Sequence, residues 1–292
     1  MRWQGGRQSD NLEDRRRMGR GGGIAVGGGV VLIIALVLLC LGADPRQVLQ
    51  LVQNAPVQQG GGAGPGAEQP ETPEEAHTRE FAATILAFTE EVWGEQFRRA
   101  GHVYEPPKMV LFSERVLTGC GAAPSSVGPF YCPADKTVYL DPTFFDELEE
   151  RLGGSKAEFS QAYVIAHEIG HHVQNLLGYS DLVHGKQRAL PDEEGNRWSV
   201  RLELQADYLA GVWAHYGQQK FHFIEPGDIE AAIQSANAIG DDRLQRNAGG
   251  FVSPESFTHG TSAQRTKWFA LGLETGDLSR IEELFELPYE RL

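Results

Sequence analysis

Residues 24–43, IAVGGGVVLIIALVLLCLGA, form an apolar run that carries no charge. As a helix it rises about 30 Å, which matches the hydrocarbon core of a bilayer. The pattern then changes abruptly. Residues 54–75, NAPVQQGGGAGPGAEQPETPEE, hold almost nothing to bury and read as part of a flexible linker. Beyond Ala76, apolar residues return at helical spacing (Phe81, Ile85, Phe88, Val92, Trp93, Phe97) until Gly101 stops the helix. KMVLFS and KTVYLD, the latter covering Thr137 to Asp141, read as two short strands bounded by turn signals. Helical spacing resumes over 155–178, with Ser155 as N-cap and Gly178 as stop, and over 197–217, closed by Gly217. Two more helices are predicted over 225–240 and around 261–273, and 181–196 reads as a loop. The chain thus divides into a Gly/Arg-rich arm (1–23), a transmembrane helix (24–43), a linker (44–75) and a folded α+β domain (76–292), mostly helical with a small sheet.

Charge adds a direction to this division. Arg2, Arg7, Arg15, Arg16, Arg17 and Arg20 all precede the apolar run, and only Arg46 closely follows it. Positive-inside bias therefore predicts a cytoplasmic arm, with 44–292 periplasmic or extracellular. Leu41 occupies the −3 position of a cut after Ala43, where a small residue is preferred, so an anchor is favoured over a cleaved signal. The chain as a whole carries a formal charge of −14, which argues against binding a phosphate backbone. Of the three cysteines, Cys40 lies in the apolar run. Cys120 and Cys132 flank the turn-rich GCGAAPSSVGPFYC, which favours a disulfide in an oxidising compartment, with free thiols or a metal pair as alternatives.

The chemistry-bearing residues lie in the helical half. In AHEIGHH, His167 and His171 are four apart, so both imidazoles project from one helix face and can share one metal ion. Glu168, beside the first histidine, can take a proton from water held there. His172 falls one position further round, outside that ligand set, and reads as the partner of a carboxylate or as solvent-facing. A catalytic zinc needs a third protein ligand and one open position. In ELQAD, Glu203 and Asp207 again share a face: Glu203 is the candidate ligand and Asp207 the candidate acceptor for a ligand histidine's outer nitrogen. The small Ala206 between them permits close helix packing, and Gly170 leaves room beside the metal. His184, His215 and His222 are rival third ligands, and a solvated acidic face is the bland alternative.

HEIGHHVQNLLG, then ELQAD, then FTHGTSAQR, with GCG…GPFYCPADKTVYLD and the Arg/Gly-rich arm, resemble the bacterial family of putative neutral zinc metallopeptidases. HExxH with a downstream ExxxD is similar to the gluzincin peptidases more broadly. The resemblance implies a zincin-like fold with one Zn2+ and a sheet edge that holds a peptide substrate, for which Thr137 to Asp141 is the candidate strand. It also implies a metalloendopeptidase, with His259 stabilising the oxyanion and Tyr208 or Tyr216 as alternatives. The competing reading is a membrane-anchored binding protein that holds zinc without catalysis. Glu168 argues against it, because a purely structural site uses four protein ligands and needs no base. A peptidoglycan hydrolase suits the setting, but no segment resembles a sugar-binding module.

Overall fold

Thr72 opens the first long helix. Its hydroxyl accepts from the Glu75 amide while the Glu75 carboxylate accepts from the Thr72 amide, and Pro73 fills the first helical turn. The computed structural model describes residues 1–17, 70–248 and 252–292. Helix α1 (Pro73–Arg99) buries Phe81, Ile85, Phe88, Val92, Trp93 and Phe97, the stripe set by its apolar spacing. The apolar run 24–43 and nearly all of the linker lie outside the described residues. Among those described, no helix is long and apolar enough to cross a membrane.

The arm is not a separate tail. Met1–Arg15 belong to the same compact unit as Thr72–Leu292. Strand β1 (Leu12–Asp14) pairs in parallel with β2 (Lys108–Leu111), placing Leu12 against Met109 and Asp14 against Leu111. Upstream of it, Trp3 is 5 % exposed and packs edge-on to Phe81, and the Arg2 amide donates to the Phe223 carbonyl. Glu90 of α1 gathers the arm's polar groups, accepting from Arg7, Ser9 and Asn11 at 2.6, 2.5 and 2.7 Å. The folded unit is therefore larger than 76–292 and includes the arm's first fifteen residues.

The main sheet runs in the order β1-β2-β6-β5, with β5 spanning Phe130–Cys132 and β6 spanning Thr137–Leu140. Strands β1, β2 and β6 are parallel, and β5 is antiparallel to β6. The candidate edge strand at Thr137 to Asp141 is thus corrected. Its strand β6 is interior, fully buried between β2 and β5, and among the described residues β5 is the outer strand beside it, unpaired on its far side. A separate hairpin, β3 (Arg115–Thr118) with β4 (Gly121–Pro124), precedes β5. Cys120 and Cys132 form a disulfide with their Cα atoms 5.9 Å apart, tying the hairpin to the edge strand.

The remaining chain is helical. After α2 (Phe144–Glu150) comes α3 (Glu158–Leu177), which begins three residues later than expected, with Ala157 and not Ser155 at its cap, and ends on Gly178 at φ 84°. The expected loop at 181–196 is largely α4 (Tyr179–Ala189), because Gly185 alone does not break it. Helix α5 (Asp192–Phe221) starts directly after Pro191, with Asp192, Glu193 and Glu194 in its first turn, where acidic groups offset the helix dipole. It runs past Gly217, which lies against the Phe223 ring, and ends at His222 with φ 54°. Then follow α6 (Asp228–Ala238), α7 (Asp241–Asn247), α8 (Ser262–Thr275), capped by Thr261 with Gln264, and the short α9 (Glu283–Glu286). The result is a mostly helical α+β unit, with its core shared by α1, α3, α5, α8 and one face of the sheet.

One outcome tests the arm's place in this core. Trp3→Ala should lower unfolding stability by about 3–5 kcal/mol, the usual cost of deleting a buried aromatic side chain. Denaturant melting of the full chain reads it, and a loss below about 1 kcal/mol would mean that the arm contributes little.

Candidate metal centre

Two helices build the centre. On α3, His167 and His171 stand one turn apart on the face turned to α5, and Glu203 and Asp207 of α5 repeat that spacing opposite them. The helices come close because both are small at the crossing. A Cβ on Gly170 would lie 3.0 Å from the Ala206 carbonyl oxygen and 3.1 Å from its Cα. The room at Gly170 is therefore filled by α5, and is not open space beside a metal.

His167, His171 and Glu203 each offer a ligand atom, all within 4.8 Å of one another, and among the described residues they are the one such group. The Glu203 carboxylate lies 3.2 Å from His167 Nε2 and 3.5 Å from His171 Nε2. A tetrahedral ion with bonds of about 2.0–2.1 Å sets its ligand atoms roughly 3.3 Å apart, so this donor set fits zinc. The outer nitrogens are already engaged. His167 Nδ1 donates to Asp207 Oδ1 at 2.9 Å, and His171 Nδ1 donates to Gln174 Oε1 at 2.8 Å. Gln174 is fixed in turn by donating to the Leu202 carbonyl at 2.6 Å. Both Nε2 atoms are thereby left to point at the shared position, as partners of outer nitrogens arrange in metal sites.

Asp207 sits in a fully buried network. Arg265 of α8 grips it with two bonds, Nε to Oδ2 at 2.8 Å and Nη2 to Oδ1 at 3.0 Å, and the Tyr163 hydroxyl donates to Oδ1 at 2.6 Å. Burial pushes the Asp207 carboxyl up, but Arg265 and His167 outweigh it and hold it down at about 2. Burial likewise opposes the charge on Glu203, and the two imidazoles offset this and hold its carboxyl well below the usual range. Glu168, 7 % exposed, is shifted the other way. Burial raises it, against the pull of His171 and His167.

The centre opens into a cleft of about 570 Å³. Val127, Pro129, Phe144, Leu152, Ile239 and Leu244 give it an apolar wall, and the edge-strand residues Phe130 and Tyr131 line it as well. Glu168 and His259 both face this cleft. The His259 ring is held by Asp241, whose Oδ1 takes Nδ1 at 3.1 Å while its Oδ2 accepts the backbone amides of Thr258, His259 and Gly260. That bond to Asp241 raises the His259 pKa against the opposing effect of burial, and Nε2 is the nitrogen left for the cleft.

The other sequence candidates fall elsewhere. His184 lines the cleft but is exposed and lies outside the ligand group. His215 Nδ1 donates to the Leu273 carbonyl, and His222 is an exposed helix end. Tyr208 and Tyr216 use their hydroxyls on the backbone of Asp277 and Gly276, which removes them as oxyanion donors. His172 meets neither a carboxylate nor solvent. It is wholly buried, with Nδ1 3.0 Å from the Tyr131 hydroxyl and Nε2 2.7 Å from the Glu105 carbonyl oxygen. Burial pushes its pKa down to about 4, so the ring is neutral. Asp241, Gln174, Arg265 and Tyr163 were not singled out from the sequence. Arg265 stands in the TSAQR segment and Gln174 in HHVQN, which were the only available signals.

Uncharacterized protein YpfJ of Escherichia coli (strain K12) is 47% identical over 286 residues, covering 95% of this chain and 96% of its own. Uncharacterized protein Mb2605 of Mycobacterium bovis and Uncharacterized protein Rv2575 of Mycobacterium tuberculosis are each 49% identical over 184 residues, 60% of this chain and 61% of theirs. No solved structure matches the chain. The family model described as "Putative neutral zinc metallopeptidase" matches residues 1–284, across the arm, HExxH, ExxxD and the His259 segment alike, and the chain belongs to that family.

Proposed function

We propose that this chain is a zinc metalloendopeptidase with a zincin-like arrangement. The observation that carries the reading is the pairing of a three-ligand centre with a buried carboxylate, Glu168, that lines the same cleft. A purely structural zinc would be closed by a fourth protein ligand. Zinc, when bound by His167, His171 and Glu203, supplies a Lewis acid for the scissile carbonyl and activates the attacking water. Glu168 accepts the proton that the water loses as its oxygen joins the carbonyl carbon. It delivers that proton to the amine nitrogen as the C–N bond breaks. His259 Nε2 donates to the oxygen that gains charge, with Asp241 holding the ring. A substrate strand lies along the free edge of β5, bonded through backbone groups, beside the apolar wall.

The setting is likewise a proposal. Residues 24–43 attach the protein to a membrane, and the folded unit stands on the side where Cys120–Cys132 stays oxidised. The pairing of β1 with β2 supports keeping Met1–Arg15 on that same side, and not in the cytoplasm as the arginine bias alone suggests. Epitopes placed before Met1 and after Leu292 should be digested together by protease added from one side of the membrane. Digestion from opposite sides would return the arm to the cytoplasm.

Glu168→Gln should keep stoichiometric zinc by metal analysis while kcat/KM on peptides falls by about 10²–10⁴-fold. Glu203→Ala should lose zinc, and activity with it. Stoichiometric zinc in a parent protein that cleaves nothing across a broad peptide library would favour the zinc-holding binding protein instead.

The His259 assignment has a pH signature. Asp241 raises the imidazole pKa, so the donating imidazolium survives to higher pH than an ordinary histidine and activity is lost only above that point. Asp241→Asn keeps an acceptor oxygen but removes the charge, and should move the alkaline limb of kcat/KM to lower pH. An unmoved limb would remove His259 from the reaction.

A further inference from the structure

His172 follows the second metal-ligand histidine and takes no part in the chemistry proposed above, yet it is wholly buried and fully bonded. Its bonds have only one possible direction. The Glu105 carbonyl oxygen can only accept, so His172 Nε2 carries the proton and donates across 2.7 Å. Nδ1 is then an acceptor and takes the Tyr131 hydroxyl proton across 3.0 Å. The Tyr131 oxygen accepts from Asn175 Nδ2, one turn along α3, at 3.1 Å. The rings of Tyr104 and Tyr131 stand edge-on to the imidazole, with centroids 5.7 and 5.4 Å away.

Tyr131 is the middle residue of β5, and among the described residues β5 is paired on one side only, with β6. At its end Cys132 is tied to Cys120. The chain Asn175–Tyr131–His172–Glu105 is thus a direct polar tie from the free edge strand to the helix that carries His167, Glu168 and His171.

We propose that His172, with Asn175, is a positioning residue that latches Tyr131 and so sets the height of the edge strand over the HExxH helix. This rests on the peptidase reading, in which a substrate strand lies along β5. A scissile carbonyl held by β5 reaches the metal centre in register only if β5 keeps its distance from α3. Tolerances in such sites are about 0.5 Å, and misplacement by 1 Å costs on the order of a hundredfold.

The test uses the full zinc-loaded chain and three variants. Tyr131→Phe removes the hydroxyl and little else, His172→Phe removes both polar ends of the ring, and His172→Gln offers an acceptor and a donor in their place. Three readings are taken: zinc affinity against a chromophoric chelator, hydrogen exchange of the 129–133 segment, and KM and kcat on a peptide substrate. The latch predicts zinc affinity within about threefold of the parent in Tyr131→Phe, because His171 keeps Gln174. It predicts faster exchange at 129–133 and kcat lower by roughly tenfold or more, with the larger loss in kcat than in KM. His172→Phe should resemble Tyr131→Phe, and His172→Gln should recover part of the loss. Unchanged exchange at 129–133 in Tyr131→Phe overturns the latch, and so does zinc affinity falling in step with activity. If the parent cleaves no peptide, the peptidase reading fails, and exchange with zinc affinity still decides whether the tie positions β5.

Discussion

The backbone contact between α3 and α5 at Gly170 and Ala206 is the constraint on which the centre depends. Two helices with larger residues at a crossing keep their axes about 8–10 Å apart. Here a single methyl on Gly170 would press against the Ala206 backbone at 3.0 Å, so this pair leaves no room for a side chain at the crossing. That approach lets a short chain such as Asp207 reach His167, and lets Glu203 face both imidazoles. A second crossing of the same kind sets α8 against α5. Gly211 faces the Phe269 carbonyl and Gly272 faces that of Tyr208, each closer than a side chain would permit. This contact brings Arg265 onto Asp207.

The buried Asp207–Arg265 pair is better understood as a device for geometry than for stability. Taking both charges out of water costs several kcal/mol each, and a paired geometry returns about that much. Breaking such a pair costs about 3–5 kcal/mol, a large share of the 5–15 kcal/mol that hold a typical domain together. The pair therefore punishes any packing of α5 and α8 that separates its members, while adding little to the correct one. Its product is an Asp207 that stays ionised and fixed, which in turn fixes the tautomer of His167.

The parts legible in the sequence were those written at helical spacing. HExxH and ExxxD each place two groups one turn apart, so their faces follow from local geometry without knowledge of the fold. Gly178 as the stop of α3 was legible for the same local reason. Asp241, Gln174 and Arg265 were not, because their roles are assigned by what lies across a crossing or beside a loop. The edge strand was misplaced because Thr137–Leu140 has the stronger β composition, whereas Phe130–Cys132 is a short strand defined by its pairing. The docking of the arm was hidden by its own arginines. They read as a topogenic signal, although Arg7 also binds Glu90, and the other residues that hold the arm to the fold, Trp3, Ser9 and Asn11, are scattered singly.

The contacts that complete the centre also set when it can exist. His167 meets Asp207 across 40 residues, Arg265 meets Asp207 across 58, and Arg265 lies beside His167 across 98. None of these can form within a single helix or hairpin, and loop closure of that length must be met before the contact returns anything. On a growing chain the HExxH helix emerges well before α8, with both histidines present but without the buried arginine that fixes their partner. A metal centre distributed in this way is completed only late in folding, when α8 has packed on α5 and Arg265 reaches Asp207.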